Sequence, residues 1–173
     1  TFPQRRAFFV ETDTRLEVYA QWGDRVGEDL RHEVTHGYVH AVAPNLPLWL
    51  DEGLAEYFEV PRACQGVNRE HIETLGERIA SGSWQPDLRR LEALRPDTDM
   101  TQTDYAESWA WVYWLIAGHP AGRELLRGQV RELRQDGVAR PVSAAIYQWG
   151  GNPQAELLAQ IRRLQEQHAV RSQ

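Results

Sequence analysis

Arg31-His32-Glu33-Val34-Thr35-His36 is a His-Glu-x-x-His pattern, and its spacing carries a mechanism. On an α-helix, residues i and i+4 lie one above the other on the same face, so His32 and His36 can turn both imidazoles toward one ion. Glu33 then stands beside that ion, where it can hold and deprotonate a metal-bound water. Catalytic zinc takes three protein ligands and keeps a fourth position for water, so a third ligand has to be found. Glu52 is placed to supply it, sixteen residues beyond His36 in Trp49-Leu50-Asp51-Glu52-Gly53-Leu54-Ala55-Glu56-Tyr57-Phe58, which reads as a second helix. Between the two helices Pro44-Asn45-Leu46-Pro47 breaks helical continuity, since proline lacks an amide donor and disfavours helix at the residue before it. The result is a helical hairpin able to bring Glu52 back over the histidines.

Other third ligands fit less well. His40 completes an i, i+4, i+8 row, but a rise of about 1.5 Å per residue carries it about 12 Å from His32, too far to share an ion. Val42 stands where the metzincin spacing needs its third histidine. Cys64 is the single cysteine, which excludes an intrachain disulfide and a cysteine-based metal site.

Composition bounds the rest. A length of 173 residues suits one domain with a real core, and we expect a single unit over 1–173, with sheet and zinc-binding hairpin in 1–60 and a helical lobe in 61–173. The formal charge of -6 is spread without a basic block, which argues against nucleic acid as a partner. No apolar run approaches the roughly 18 residues of a membrane span. The chain begins at Thr1 without an initiator methionine or a signal-like apolar stretch, so a processed or trimmed product is expected; the compartment is left open, with an extracytoplasmic one (secreted or periplasmic) favoured.

Periodicity organises the chain as α+β and mostly helical. Ala7 to Glu11 and Arg15 to Trp22 read as strands joined by Thr12-Asp13-Thr14; the second alternates Leu16, Val18, Ala20 and Trp22 against polar neighbours. This small sheet is expected to pack on the helix of about Val26 to Ala41, whose apolar face reads as Leu30, Val34, Tyr38 and Ala41, with the histidines on a neighbouring face. After the Glu52 helix and a loop over 62–68, Arg69 to Ala80 is helical. Trp84 to Thr103 reads as irregular, although Leu88, Leu91 and Leu94 could share one helical face. Asp104 to Ala117 is a helix aromatic all round, which implies burial on more than one face. Ala121 to Gln135, Val142 to Gln148 and Pro153 to Ala169 complete a helical half expected to close the cleft.

The residues His32-Glu33-Val34-Thr35-His36 followed by Trp49-Leu50-Asp51-Glu52-Gly53-Leu54-Ala55-Glu56-Tyr57-Phe58-Glu59 resemble the gluzincin peptidases, the clan of thermolysin and the aminopeptidase N-like enzymes, and most closely the small bacterial peptidase-MA-like domains. The resemblance is specific over about residues 28 to 59 and looser at 104 to 117. It implies one zinc ion held by His32, His36 and Glu52, with Glu33 as general base. Glu56, one turn beyond Glu52, matches the place where thermolysin-like enzymes set a carboxylate behind a ligating histidine; Glu59 is a further candidate, while Asp51 reads as a helix-surface charge. Tyr105 in Tyr105-Ala106-Glu107-Ser108-Trp109-Ala110 is similar to the tyrosine that opens a helix after the zinc motifs in the aminopeptidase N-like group, and a phenol that stays protonated at neutral pH can donate to an oxyanion. Tyr38, Tyr57, His71 and His119 are weaker alternatives for that donor. The aminopeptidase Gly-x-Met-Glu-Asn stretch is missing, so the likeness does not extend to amino-terminal recognition. The strand from Arg15 to Trp22 could pair with an extended substrate.

The expected function is a zinc-dependent metallopeptidase acting on a peptide or protein, with a catalytically silent zinc-binding module of regulatory or peptide-binding role as the alternative. A scaffold with an incidental motif is a third possibility. Glu33 argues for turnover, because its chemistry is needed only there.

Overall fold

The computed structural model describes residues 7–12 and 15–171. Strands Ala7–Thr12 (β1) and Arg15–Ala20 (β2) form an antiparallel ribbon, with Ala7 opposite Ala20 and Thr12 opposite Arg15. The expected turn at 13–14 lies outside the described residues. Helices follow at Val26–Val42 (α1), Leu48–Glu59 (α2), Arg69–Ala80 (α3), Leu88–Glu92 (α4), Gln102–Tyr113 (α5), Gly122–Asp136 (α6), Val142–Ile146 (α7) and Pro153–Arg171 (α8). The protein is thus mostly helical with one small sheet, and among the described residues no helix is long and apolar enough to cross a membrane.

The ribbon lies against α1, α1 packs on α2, and α2 packs on α5. Helix α5 is the centre of the core: Trp109 and Trp111 are fully buried, and it touches α3, α4 and α8 as well as α2. Its all-round aromatic character therefore serves several contacts at once. At its end the chain takes one π turn over Trp114–Gly118, with the His119 amide donating to the Trp114 carbonyl at 2.9 Å. Gly122 opens α6 where a Cβ would meet the Leu115 carbonyl oxygen at 2.0 Å, so the exit from α5 requires glycine.

Gly53 sets the crossing of α2 over α5. A Cβ there would lie 2.6 Å from the Ser108 carbonyl oxygen and 2.7 Å from Val112 Cγ2, both on α5. Backbone cannot yield as a flexible side chain can, so the two helices approach this closely only because the position has no side chain.

Three expectations are corrected. The row Leu30, Val34 and Tyr38 faces outward on α1, with Tyr38 74% exposed, and Ala41 is exposed too; the helix buries His36 and Gly37 instead. The ribbon covers α1 only in part, and the pairing of the histidine side with α2 decides which face turns in. Strand β2 stops at Ala20, and Trp22, expected on its inner face, is 91% exposed. A two-stranded ribbon has too little area to enclose an alternating face; Ala20 is exposed as well, and the Leu16 side chain lies outside the described residues.

The stretch from Trp84 is also less irregular than it reads, because a buried carboxylate organises it. Glu107 of α5 is fully buried and accepts hydrogen bonds from Trp84 Nε1 at 2.9 Å, the Asp87 amide at 2.6 Å, Arg90 Nη2 at 2.8 Å and Trp111 Nε1 at 3.3 Å. Satisfied in this way, a buried charge becomes tolerable. Asp87 caps α4, whose Leu88 and Leu91 enter the core. Thr101 and Asp104 form a reciprocal capping box that starts α5.

Replacing Gly53 with alanine should cost about 1–3 kcal/mol through overpacking, the range for an added methyl in a filled core; guanidinium unfolding measures it, and an unchanged midpoint would show that α2 can move away freely. Asp104 gives a pH-dependent test. Burial alone would raise its carboxyl, but hydrogen bonds from the Thr101 hydroxyl and amide, and the Arg90 guanidinium, outweigh this and hold it below the usual carboxylate range. A depressed folded value contributes stability above the unfolded value of about 3.9, and the contribution disappears as pH falls through the folded value. Asp104→Asn should therefore lower stability by about 1 kcal/mol near neutrality, as for loss of a helix cap, and the gap from wild type should narrow in acid. Unfolding curves at the two pH values decide it; a constant gap would rule out the charge.

Candidate metal centre

The centre is assembled from α1 and α2, with α3 and α5 supplying further walls. A helical repeat places His32, Glu33 and His36 along one flank of α1. Glu52, Glu56 and Glu59 recur on α2 at i, i+4 and i+7, so they share one face. The prolines of the connection keep the hairpin tight, and Pro47 stands as the residue before α2.

Both Nε2 atoms converge. His32 Nε2 lies 3.2 Å from His36 Nε2, and Glu52 Oε2 lies 3.6 Å from the first and 3.7 Å from the second. The donor atoms of His32, His36 and Glu52 all fall within 4.8 Å of one another. Two imidazole nitrogens and one carboxylate oxygen are a donor set suited to a zinc-like divalent ion. The structure thus brings together the three residues expected as ligands.

Each histidine turns its other nitrogen to a carboxylate. His32 Nδ1 is 3.0 Å from Glu59 Oε2, and His36 Nδ1 is 3.1 Å from Asp51 Oδ1. Such pairs set ring direction, and in a neutral ring a carboxylate at Nδ1 favours the tautomer whose Nε2 lone pair faces the common point. Asp51 also reaches His40 Nε2 at 3.0 Å, and Asn68 Nδ2 donates to Glu59 Oε1 at 2.8 Å. Two further groups that could hold a cation, His36 with His40 and Asp51, and His32 with Glu56 and Glu59, share a histidine with the first group and include these same carboxylate partners.

The electrostatics of His32 favour positive charge. Burial disfavours a charged imidazole, but the Glu52 carboxylate beside it and the hydrogen-bonded Glu59, with Glu56 nearby, outweigh it and push the ring up to about 10. Asp51 shows the complementary effect: burial would raise it, and His36 and His40 hold it below its ordinary value. For Glu56 burial dominates and pushes the carboxyl up, while His32 outweighs burial at Glu59 and brings it down. A field that stabilises a proton on His32 also stabilises a divalent cation at the same place.

The expectations for the surrounding carboxylates need revision. Asp51 is not a surface charge; it is 9% exposed and paired with two histidines. Glu59, not Glu56, makes the short contact to His32. Glu56 stands 3.9 Å from His32 Nδ1 and pairs with His71 Nε2 at 2.6 Å. Four acids on an otherwise apolar helix were the available signal for an inward acidic flank. Asn68 gave none, and His71 was expected only as an alternative oxyanion donor, because their pairing with Glu59 and Glu56 depends on where the loop over 62–68 returns the chain.

Glu33 and Tyr105 line the same cavity as the three ligand candidates, a space of about 580 Å³ that also reaches Arg25, Glu28 and Glu70. Glu33 is half-buried and makes no hydrogen bond or ion pair with a described residue. Tyr105 stands in the first turn of α5, opposite the α1–α2 hairpin. Of the weaker alternatives to it, His71 lines the cavity; Tyr38 is exposed on α1, Tyr57 stacks near Tyr113, and His119 packs between Trp114 and Trp149.

Comparison with known proteins gives one family and no individual relative: no curated protein and no solved structure matches the chain significantly. The family profile spans α1 from its first turn through α5 and into α6, and it includes His32, Glu33, His36, Glu52 and Tyr105. Since residues 29–128 match it, more than half of the sequence, the chain belongs to the family described as Protein of unknown function (DUF1570).

Proposed function

We propose that this protein is a zinc-dependent metallopeptidase of gluzincin type. The observation that carries the reading is the convergence of His32 Nε2, His36 Nε2 and Glu52 Oε2 in a cavity also lined by a carboxylate, Glu33, that bonds to no described residue. His32, His36 and Glu52 would hold the ion. When bound, zinc would supply Lewis acidity, polarising the scissile carbonyl and making water a better acid.

The chain's own groups carry the protons. Glu33 takes a proton from the attacking water and passes it to the leaving amine, so the carboxylate is regenerated as the peptide bond breaks. Tyr105 donates its hydroxyl hydrogen to the carbonyl oxygen as negative charge develops there. Glu59 and Asp51 hold the imidazoles in the tautomer that leaves Nε2 free. Helices α3 and α5 wall the cleft through Glu70, His71, Gln102 and Tyr105.

Glu33→Gln should keep one zinc per chain and lose about 10²–10⁴-fold in kcat/KM, the usual contribution of a general base; metal analysis beside cleavage of a diverse peptide library tests both halves. Stoichiometric zinc with no cleavage by wild type would instead support a silent zinc-binding module. His36→Ala should lose the ion altogether. Asp51→Asn and Glu59→Gln should each weaken zinc binding by about 10–100-fold, as removal of a histidine's outer partner does; competition against a chelator reads this, and wild-type affinity in both variants would mean the carboxylates do not aim the ligands.

A further inference from the structure

Of the three histidines on α1, His40 alone does not line the cavity. It stands one helical turn beyond His36, and its distance from His32 along the helix keeps it from the ion those two would share. It nevertheless reaches into the same seam between α1 and α2. His40 Nε2 lies 3.0 Å from Asp51 Oδ2, while the other oxygen of that carboxylate, Oδ1, lies 3.1 Å from His36 Nδ1. One acid of α2 thus stands between two histidines of α1, whose rings meet edge to face with centroids 6.1 Å apart.

The two contacts are unequal. Asp51 Oδ2 shares a hydrogen bond with His40, whereas Oδ1 is buried beside His36 and no hydrogen bond from a described residue reaches it. The terminal torsion of an aspartate is soft, so a carboxylate turns about its last bond unless a partner holds it. The bond from His40 therefore sets where Oδ1 lies, and Oδ1 is the atom that faces the ligand ring. Burial sharpens the dependence, because Asp51 is 9% exposed and water has little access to replace a lost partner.

We propose that His40 is a positioning residue of the metal centre, holding Asp51 so that its Oδ1 directs the His36 imidazole at the ion. The role rests on the reading of His36 as a zinc ligand and not on peptide cleavage, so metal affinity alone can test it.

His40→Phe keeps the volume of the ring and removes both nitrogens. In competition against a chelator, its zinc affinity should fall about threefold to tenfold, less than the loss on changing Asp51 itself. His40→Gln, which keeps an N–H of similar reach, should recover most of that loss. A double-mutant cycle then shows the route. In an Asp51→Asn background His40→Phe should cost little further, whereas in a Glu59→Gln background the full loss should reappear, since Glu59 serves the other histidine. Unchanged affinity in His40→Phe, no recovery with glutamine, or equal losses in the two backgrounds would each overturn the proposal. Two zinc ions on wild type, falling to one in His40→Phe, would also overturn it, because His36, His40 and Asp51 would then hold an ion of their own. Absence of zinc from wild type defeats the metal-centre reading and this role together, while zinc held equally well by wild type and His40→Phe defeats this role alone.

Discussion

Close contact between α2 and α5 at Gly53 is the constraint from which the rest of the centre follows. With no Cβ at that position, α2 settles against the Ser108 carbonyl and is wedged between α5 and α1. Successive residues turn about 100° around a helix. Gly53 directed at α5 therefore leaves Asp51 and Glu52 on flanks that can meet α1. The glycine that permits helix packing is also what orients the ligand candidate beside it.

Charge then does what apolar packing does elsewhere. The interface of α1 with α2 carries histidine and carboxylate pairs, and burying such groups is costly unless each is met by a partner. Asp51 meets His36 and His40, Glu59 meets His32 and Asn68, and Glu56 meets His71. This polar seam rests on a tryptophan-rich core that includes Trp49, Trp109 and Trp111, which gives it a rigid base. In return, α1 leaves Tyr38 and much of Leu30 and Val34 in solvent. Helix orientation here serves the histidines before it serves hydrophobic burial.

Local pattern made much of this readable. Helical spacing put His32 and His36 on one side, the two prolines marked the hairpin, and the acid on the following helix was placed to face them. The boundaries of α1, α3 and α8 also lie close to their periodic runs, since amphipathic spacing and caps act within a few residues. Where periodicity misled, a long-range partner had outweighed it. Leu30, Val34 and Tyr38 are spaced like a core face, and only the docking of α2 on the other side turns them out. Trp84 to Arg90 looks irregular until Glu107, from α5, gathers its donors.

What the sequence by itself determined is the set of candidate ligand groups and the helices that carry them, because an i, i+4 relation is a property of a single helix. Tertiary structure decided the partners. Whether Glu59 or Glu56 supports His32, whether Asp51 lies buried between two histidines or in water, and whether Arg25 bridges Glu28 and Glu70 all depend on distances between helices. Those distances are set by contacts far apart in the chain, such as Gly53 against Ser108, and no local spacing encodes them.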